Sequence, residues 1–437
     1  MTDTLRPRGP DGDGYYLDDA VALGHRRLSI IDVGGGAQPL AVDGGRHQIV
    51  YNGELYNYVE LRRELEARGH SFHTNSDTEV LLRQLVANGV EGLQRCNGMF
   101  AFAWWDRDRR VLTLARDRLG IKPLYYAVVE GDLVFGSELK ALLKHPAIAR
   151  RICPLSVSKY LTFGYIPAPH TIFEGVHKLE PGHWLEFSEK GMRQHCYWDL
   201  PLDDNPVNPG NLDELSDELR AILGDAVVKH LRSDVPVGVF LSGGVDSSAL
   251  VALAAGKVSG KLHTFSVGFE ESSYDESPYA RMVAQRYDTE HHHEVLSSQR
   301  AVGMLPSVMG ILDEPFGDAS ILPTYLLSQF TARHVKVVLG GDGGDELFAG
   351  YPSFQAHVVM EKLSVLPVTW RLALTRLVRH LPVSHRYASL DFLLQQFFKG
   401  AGISPEIRFM MWMGPCGNEL KRSILSPALQ ASLIRQN

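Results

Sequence analysis

The chain has 437 residues, of which 44% are hydrophobic and 22% charged. That is enough apolar content to bury two or three cores of ordinary size, and it excludes disordered, collagen-like and mini-protein classes. Lys and Arg number 44 against 51 Asp and Glu, a formal charge of −7 with no basic block, so nucleic acid is not an expected partner. No apolar run approaches the roughly 20 residues of a membrane helix, and the polar segment 1–14 lacks the apolar centre of a signal peptide. Cys96, Cys153, Cys196 and Cys416 are scattered without a C-x-x-C pair, which suits a reducing cytoplasm better than a disulfide framework or a zinc site.

In chain order, Gln48–Tyr51 predicts a strand running into Asn52-Gly53-Glu54. Asn57 with Glu60 three residues on, and Ser76 with Glu79, each predict a helix opened by a capping box and closed by Gly69 and Gly89 respectively. Met99–Trp105, Val111–Ala115, Tyr125–Val129 and Asp132–Phe135 predict antiparallel strands, the last two joined by a tight turn at Gly131-Asp132. In Trp104-Trp105 one ring is expected in the core and the other on the sheet surface. Thr171–Phe187 continues the strand-and-turn pattern.

Pro201–Gly210 holds three prolines, two aspartates and two asparagines and predicts a linker. Beyond it the rhythm becomes helix, strand, helix, strand. Apolar residues from Leu215 to Leu231 fall at helical spacing; Val235–Leu241, Leu262–Phe269 and Val335–Leu339 are strands; 247–255 is a helix, and Ser277-Pro278 opens another with serine at the cap. Alternation of this kind implies a doubly wound parallel sheet, whose ligands lie beyond the carboxyl ends of its strands. Past Val358 the chain turns helical and rich in Leu and Arg.

Two glycine-rich loops stand where such a sheet binds ligands. Ser242-Gly243-Gly244-Val245-Asp246-Ser247-Ser248 follows a buried strand and opens a helix, so main-chain N–H groups and serine hydroxyls can cradle a phosphate. Asp246 beside phosphate makes sense with a bridging cation such as Mg²⁺. The loop has no P-loop lysine. Gly340-Gly341-Asp342-Gly343-Gly344-Asp345-Glu346 follows the third strand and suits close approach to a nucleotide with a metal. For Glu290-His291-His292-His293-Glu294, strand alternation puts neighbouring residues on opposite faces; no compact histidine pair is expected to face one ion, and the segment reads as a solvated strand edge. His25 reads as a packed histidine and Cys96 as a core residue. Asp313-Glu314-Pro315 and Asp318 leave open a pocket border or an acidic turn.

The loop Ser242-Gly243-Gly244-Val245-Asp246-Ser247 resembles the N-type ATP pyrophosphatase signature. The blocks Arg8–Gly12, Gly24–Asp32, Tyr51–Asn57, Ser76–Glu79, Asn97–Ala103 and Arg116–Tyr125 resemble the glutaminase domain of class II amidotransferases. Together they resemble the glutamine-hydrolysing asparagine synthetases. The resemblance implies an antiparallel sandwich over 1–195, a linker at 196–212 and an α/β ATP pyrophosphatase domain over 213–437. It implies that Arg27 holds the glutamine α-carboxylate, Asp77 the α-amino group, that Glu54 lines the pocket, and that Asn52 and the Gly53 N–H form an oxyanion hole. It further implies ATP against Leu241, Ser242, Gly243, Gly244, Asp246, Ser247, Ser248, Val267, Gly340 and Gly341, Mg²⁺ at Asp246 and Asp345, and a role for Asp342 in forming a β-aspartyl-adenylate. The expected partners are small molecules (glutamine or ammonia, aspartate and ATP), and a homodimer is left open.

Family members begin Met-Cys-Gly, the cysteine being the glutaminase nucleophile, whereas here the chain begins Met1-Thr2-Asp3. The C-terminal Arg- and Glu-bearing helical segment of the family is not found either. The expectation is a family chain shortened at both ends, using ammonia if no cysteine substitutes. An adenylating lactam-forming ligase and a non-catalytic remnant that binds glutamine or ATP are the rival expectations.

Overall fold

The computed structural model describes residues 1–202, 210–378, 380–382, 384 and 389–434. The middle of the expected linker, 203–209, lies outside them. The described residues form two compact units. The first comprises Met1–Arg151 and Ala168–Val237, the second Ile152–Pro167 and Gly238–Asn437.

In the first unit β1 (Gly12–Leu17) pairs with β2 (Ala22–Arg27). A six-stranded sheet is built from β3 (Leu40–Val42), β4 (His47–Leu55), β5 (Gly98–Asp106), β6 (Val111–Arg116), and later β10 (His183–Ser188) and β11 (Gly191–Cys196), in the order β11-β10-β6-β5-β4-β3. Every neighbour in it runs antiparallel. β7 (Tyr125–Val129), β8 (Asp132–Gly136) and β9 (His177–Lys178) make a third, antiparallel sheet. The β7–β8 turn falls on Glu130-Gly131, both at positive φ (55° and 94°), which matches the twist of the hairpin.

Strand alternation sorts β5 into two cores. Phe100, Phe102 and Trp104 join Ile49, Tyr51 and the apolar faces of α1 (Tyr58–Ala67) and α2 (Asp77–Asn88). Ala101, Ala103 and Trp105 join Val50, Leu112, Leu114, Leu124 and Tyr126 on the opposite face. Trp104 and Trp105 are therefore both buried, 7% and 4% exposed, and neither is a surface ring. The sheet has packing partners on both faces, so alternation changes the core a residue enters, not its burial.

The Asn57 capping box does not form. Asn57 precedes α1, but its amide donates to the Arg95 carbonyl and its Oδ1 accepts from the Asn97 N–H, while Glu60 pairs with Arg232. Ser76 does cap α2, accepting from the Thr78 N–H, whereas Glu79 turns to the His73 and Thr74 N–H groups. In both places a tertiary partner outbids the reciprocal local bond.

After α3 (Leu139–Leu142), helix α4 (Pro154–Phe163) groups with the second unit, where the Thr162 hydroxyl accepts from Lys421 Nζ at 2.8 Å and the Gly164 carbonyl accepts from the Gly317 N–H at 2.7 Å. Helix α5 (Leu212–His230) groups with the first unit: His230 stacks on Tyr56 at 3.6 Å, and Arg232 just beyond it chelates Glu60 with two bonds at 2.6 and 2.7 Å. By contacts the compact units divide near Val237, and 152–167 groups with the second.

The second unit holds a four-stranded sheet of β12 (Val237–Phe240), β13 (His263–Phe269), β14 (Glu290–Leu296) and β15 (Val337–Leu339) in the order β14-β13-β12-β15. β12, β13 and β14 run parallel. Helices α6 (Val245–Ala254), α7 (Ser277–Arg286), α8 (Ser298–Ile311) and α9 (Ile321–Thr331) connect the strands. Ser277 is the first helical residue of α7 and not its cap; its N–H and hydroxyl both donate to Asp275. Among the described residues of 344–434 further helices follow. No helix among the described residues is long and apolar enough to cross a membrane.

Candidate functional site

In the first unit the expected glutamine-pocket residues gather at the β4 end and the start of α2. Gly53 has no room for a side chain: a Cβ there would stand 2.2 Å from the Met99 carbonyl oxygen on β5. On either side of it, Asn52 and Glu54 share the strand face that Val50 buries. Asn52 Nδ2 is buried with no partner. Among the described residues its N–H groups have no acceptor and are free to donate to a ligand oxygen.

Asp77, 5% exposed at the first turn of α2, accepts from the Tyr51 hydroxyl at 3.0 Å and the Leu55 N–H at 2.9 Å. Burial raises its carboxyl above the ordinary aspartate value against those hydrogen bonds. Glu54 is also 5% exposed, and its Oε1 has no hydrogen-bond partner among the described residues. Burial first, then the Asp77 charge, pushes its carboxyl up to about 7, with Lys122 acting in the opposite sense. Burial likewise depresses Lys122. Arg27, at the end of β2, gives three hydrogen bonds to the carbonyls of Ile31, Asp32 and Val33 at 2.7–3.0 Å. Burial lowers its guanidinium, and Asp32, Asp77 and Asp11 oppose that. Arg27, Asp77 and Glu54 thus form one electrostatic neighbourhood, and Asn52 and Gly53 lie beside Glu54 on the same strand. Lys122 and Tyr51 belong to it too; both stood inside recognised sequence blocks, but nothing local in the sequence marked them as neighbours of Glu54 and Asp77.

His25 is a packed histidine: its Nε2 lies 3.2 Å from the Tyr51 carbonyl, and burial lowers it to about 4. Cys96 is buried in the first core, and burial drives its thiol up to about 12, far from a reactive thiolate. All four cysteines are unpaired.

In the second unit the strand order reverses between β12 and β15, and the glycine-rich loops follow those two strands. This is the switch point at which open parallel sheets bind ligands. The first loop is tied internally: Ser242 and Ser247 hydroxyls lie 3.0 Å apart, the Gly244 N–H donates to Ser242 Oγ, and the Ser248 N–H donates to the Gly244 carbonyl. Gly243 has φ +91°, and a Cβ there would stand 2.6 Å from the Ala280 nitrogen.

The second loop lies directly against the first. A Cβ on Gly341 would stand 3.2 Å from Asp246 Cβ and 3.4 Å from the Ser247 nitrogen; one on Gly344 would stand 2.6 Å from Asp246 Cγ. Asp246 is therefore set between the loops, in the first turn of α6. Asp342 and Asp345 share the second loop; Asp342 Oδ2 lies beside Gly340 and Asp345 beside Gly350. Leu241 is buried at the end of β12, and Val267 is half-buried on neighbouring β13. Asp318 accepts from the Ser320 N–H at the entry to α9, and with Asp345 and Glu346 it acts on the Tyr351 hydroxyl.

The histidine run departs from expectation. Alternation holds along β14, with His291 on one face accepting or donating to Thr264 and Ser266 hydroxyls at 3.0 and 3.2 Å. On the other face, however, His292 and Glu290 meet His263 of β13, their ligand atoms all within 4.8 Å of one another. The partner comes from the adjacent strand, which one strand's periodicity cannot reveal.

Residues 1–198 match the family model of the glutamine amidotransferase domain, and residues 218–404 that of asparagine synthase. The chain is 38% identical over 394 residues to the glutamine-hydrolysing asparagine synthetase 1 of Bacillus subtilis, covering 89% of this chain and 61% of the relative. Against asparagine synthetase 3 of that organism it is 40% identical, covering 81% and 60%. Against a putative glutamine-hydrolysing asparagine synthetase 2 of Methanocaldococcus jannaschii it is 36% identical over 432 residues, covering 93% and 82%. The chain thus spans about three fifths of the length of the two Bacillus relatives.

Proposed function

The chain belongs to the family of glutamine-hydrolysing asparagine synthetases, and from that membership we propose that it converts aspartate to asparagine with ATP, taking nitrogen from glutamine or from ammonia. In the first unit Arg27, whose guanidinium is fixed by three carbonyls, orients the glutamine α-carboxylate by its charge. Asp77 holds the α-ammonium, and Glu54 lines the pocket. Asn52 Nδ2 and the Gly53 N–H are placed to donate to the glutamine side-chain carbonyl oxygen, the atom that any nucleophile attacking that amide would make negative. The unpartnered state of Asn52 Nδ2 supports this role.

In the second unit a side-chain carboxylate oxygen of aspartate attacks the α-phosphorus of ATP, and pyrophosphate departs. Ammonia then attacks the β-aspartyl-adenylate, and AMP leaves. Leu241, Val267, Gly340 and Gly341 flank the adenosine. Main-chain N–H groups and serine hydroxyls of 242–248 hold the departing pyrophosphate at the α6 N-terminus. Asp342 faces the forming acyl-adenylate. Carboxylate oxygens suit Mg²⁺, which needs only one or two of them beside phosphate oxygens, and Asp246, pressed between the loops, and Asp345 would hold it. When bound, that ion offsets charge on the phosphates. The unpaired cysteines suit a reducing compartment, and the cytoplasm is the proposed location.

The carrying observation is the abutment of the two glycine loops around Asp246 at the sheet's switch point. The test incubates the full chain with ATP, Mg²⁺ and aspartate, with ammonium or glutamine, and measures pyrophosphate and asparagine. Asp246→Asn should lower pyrophosphate release at least about 100-fold while circular dichroism stays unchanged. Normal release in that variant discards the loop assignment. ATP binding without turnover of the parent chain replaces the proposal with the binding-module reading.

A further inference from the structure

At the opposite end of the second unit's sheet from the glycine loops, three side chains with metal-ligating atoms converge on one face. His263 and Glu290 are the first residues of β13 and β14 and stand opposite each other in register; His292 lies two residues beyond Glu290 on the same face. His263 Nδ1 is 3.3 Å from His292 Nε2, Glu290 Oε1 is 3.4 Å from His292 Nε2, and the same oxygen is 3.7 Å from His263 Nδ1.

Those three lengths form a nearly equilateral triangle. Ligands at about 2.0–2.1 Å in a tetrahedron stand about 3.3 Å apart, whereas the octahedral geometry of Mg²⁺ brings them to about 2.9 Å. The donor set of two imidazoles and one carboxylate also suits a borderline cation better than a hard one. The His292 ring is held in place by Phe265, 5.0 Å between centroids, and by His334 at 4.1 Å. Glu290 is half-exposed, so solvent has access to a fourth position.

We propose that His263, His292 and Glu290 bind one Zn²⁺ in tetrahedral geometry, with water as fourth ligand, and that this ion fastens β14 to β13. Among the described residues β14 is the end strand in the sheet order, so a cross-strand ligand set restrains an edge that has a paired neighbour there on one side only. The site is separate from the nucleotide loops and does not depend on the amidation reading.

The experiment uses the untagged full chain, stripped with a chelator, then titrated calorimetrically with ZnCl₂ and optically with CoCl₂. Expected are one Zn²⁺ per chain, the intense visible absorption of four-coordinate Co²⁺, and a melting temperature that rises with free Zn²⁺ as linkage requires. Glu290→Gln and His292→Asn should each weaken Zn²⁺ binding at least about tenfold. His291→Asn, on the opposite face, should leave it unchanged. Glu290 lies at the surface, so its variant remains informative if His292→Asn fails to fold. Absence of saturable binding, a weak octahedral Co²⁺ spectrum, or full affinity in Glu290→Gln would each overturn the proposal; the three side chains would then be a hydrogen-bonded cluster without an ion.

Discussion

The two candidate sites are built from different materials. In the first unit the site is made of side chains carried into a sheet that is buried on both faces: Glu54 and Asp77 are both 5% exposed, and burial displaces their carboxyls upward. In the second it is made of main chain at strand ends, with glycines admitting one loop against another and a carboxylate, Asp246, set between them. A site of the first kind cannot be altered without touching the core that makes it; a site of the second kind can.

This contrast can be broken by mutation. The largest expected stability loss is for Phe102→Ala, about 3–5 kcal/mol, because that ring fills the core directly behind the first site; urea denaturation measures it. Gly53→Ala should cost about 1–3 kcal/mol, since its Cβ meets the fixed Met99 carbonyl. Its counterpart, Gly344→Ala, meets a movable carboxylate instead, and should change stability by no more than about 0.5 kcal/mol while weakening ATP binding at least about tenfold. Equal stability losses in the two glycine variants would erase the distinction.

The pH responses sharpen it further. Glu54 titrates near about 7 in the folded chain against an ordinary 4.5, so the native state binds more protons between those values. Stability should therefore fall as pH rises from 4.5 through about 7, and Glu54→Gln should remove that part of the fall. Urea midpoints at several pH values, compared between parent and variant, decide it. Glu60 behaves oppositely: the Arg232 hydrogen bonds lower it to about 2, so its contribution is lost as pH falls from 4.5 toward 2. Arg232→Ala should flatten that acid limb and cost up to about 1 kcal/mol at neutral pH, the pair being partly exposed. An unchanged acid limb would mean that the fastening of α5 to the first unit does not run through this pair.

The fold class, strands β5 to β8, β12, β13 and β15, and the two glycine loops could be read from residue order, because each rests on contiguous information, whereas β1, β2, β3 and β11 were not expected. A continuous apolar run marks β5, a Gly131 turn marks the β7–β8 hairpin, and Ser242–Ser248 carries its chemistry within seven positions. Asn52, Gly53 and Glu54 are adjacent, so their motif survives in one dimension. What residue order could not convey was partnership at a distance. Asn57 and Glu60 have the spacing of a capping box, yet Arg95, Asn97 and Arg232 claim them. Lys122 reaches the electrostatic field of Glu54 only after the loop behind β6 closes on Asp117, whose carboxylate accepts the Phe100, Ile121 and Lys122 N–H groups. His263 and His292 meet because parallel pairing sets β13 beside β14. Local propensity is settled within a few bonds of the backbone, whereas hydrogen-bond partners and charge neighbours are chosen by whichever segments the packed cores bring within a few ångströms, and that choice exists only in three dimensions.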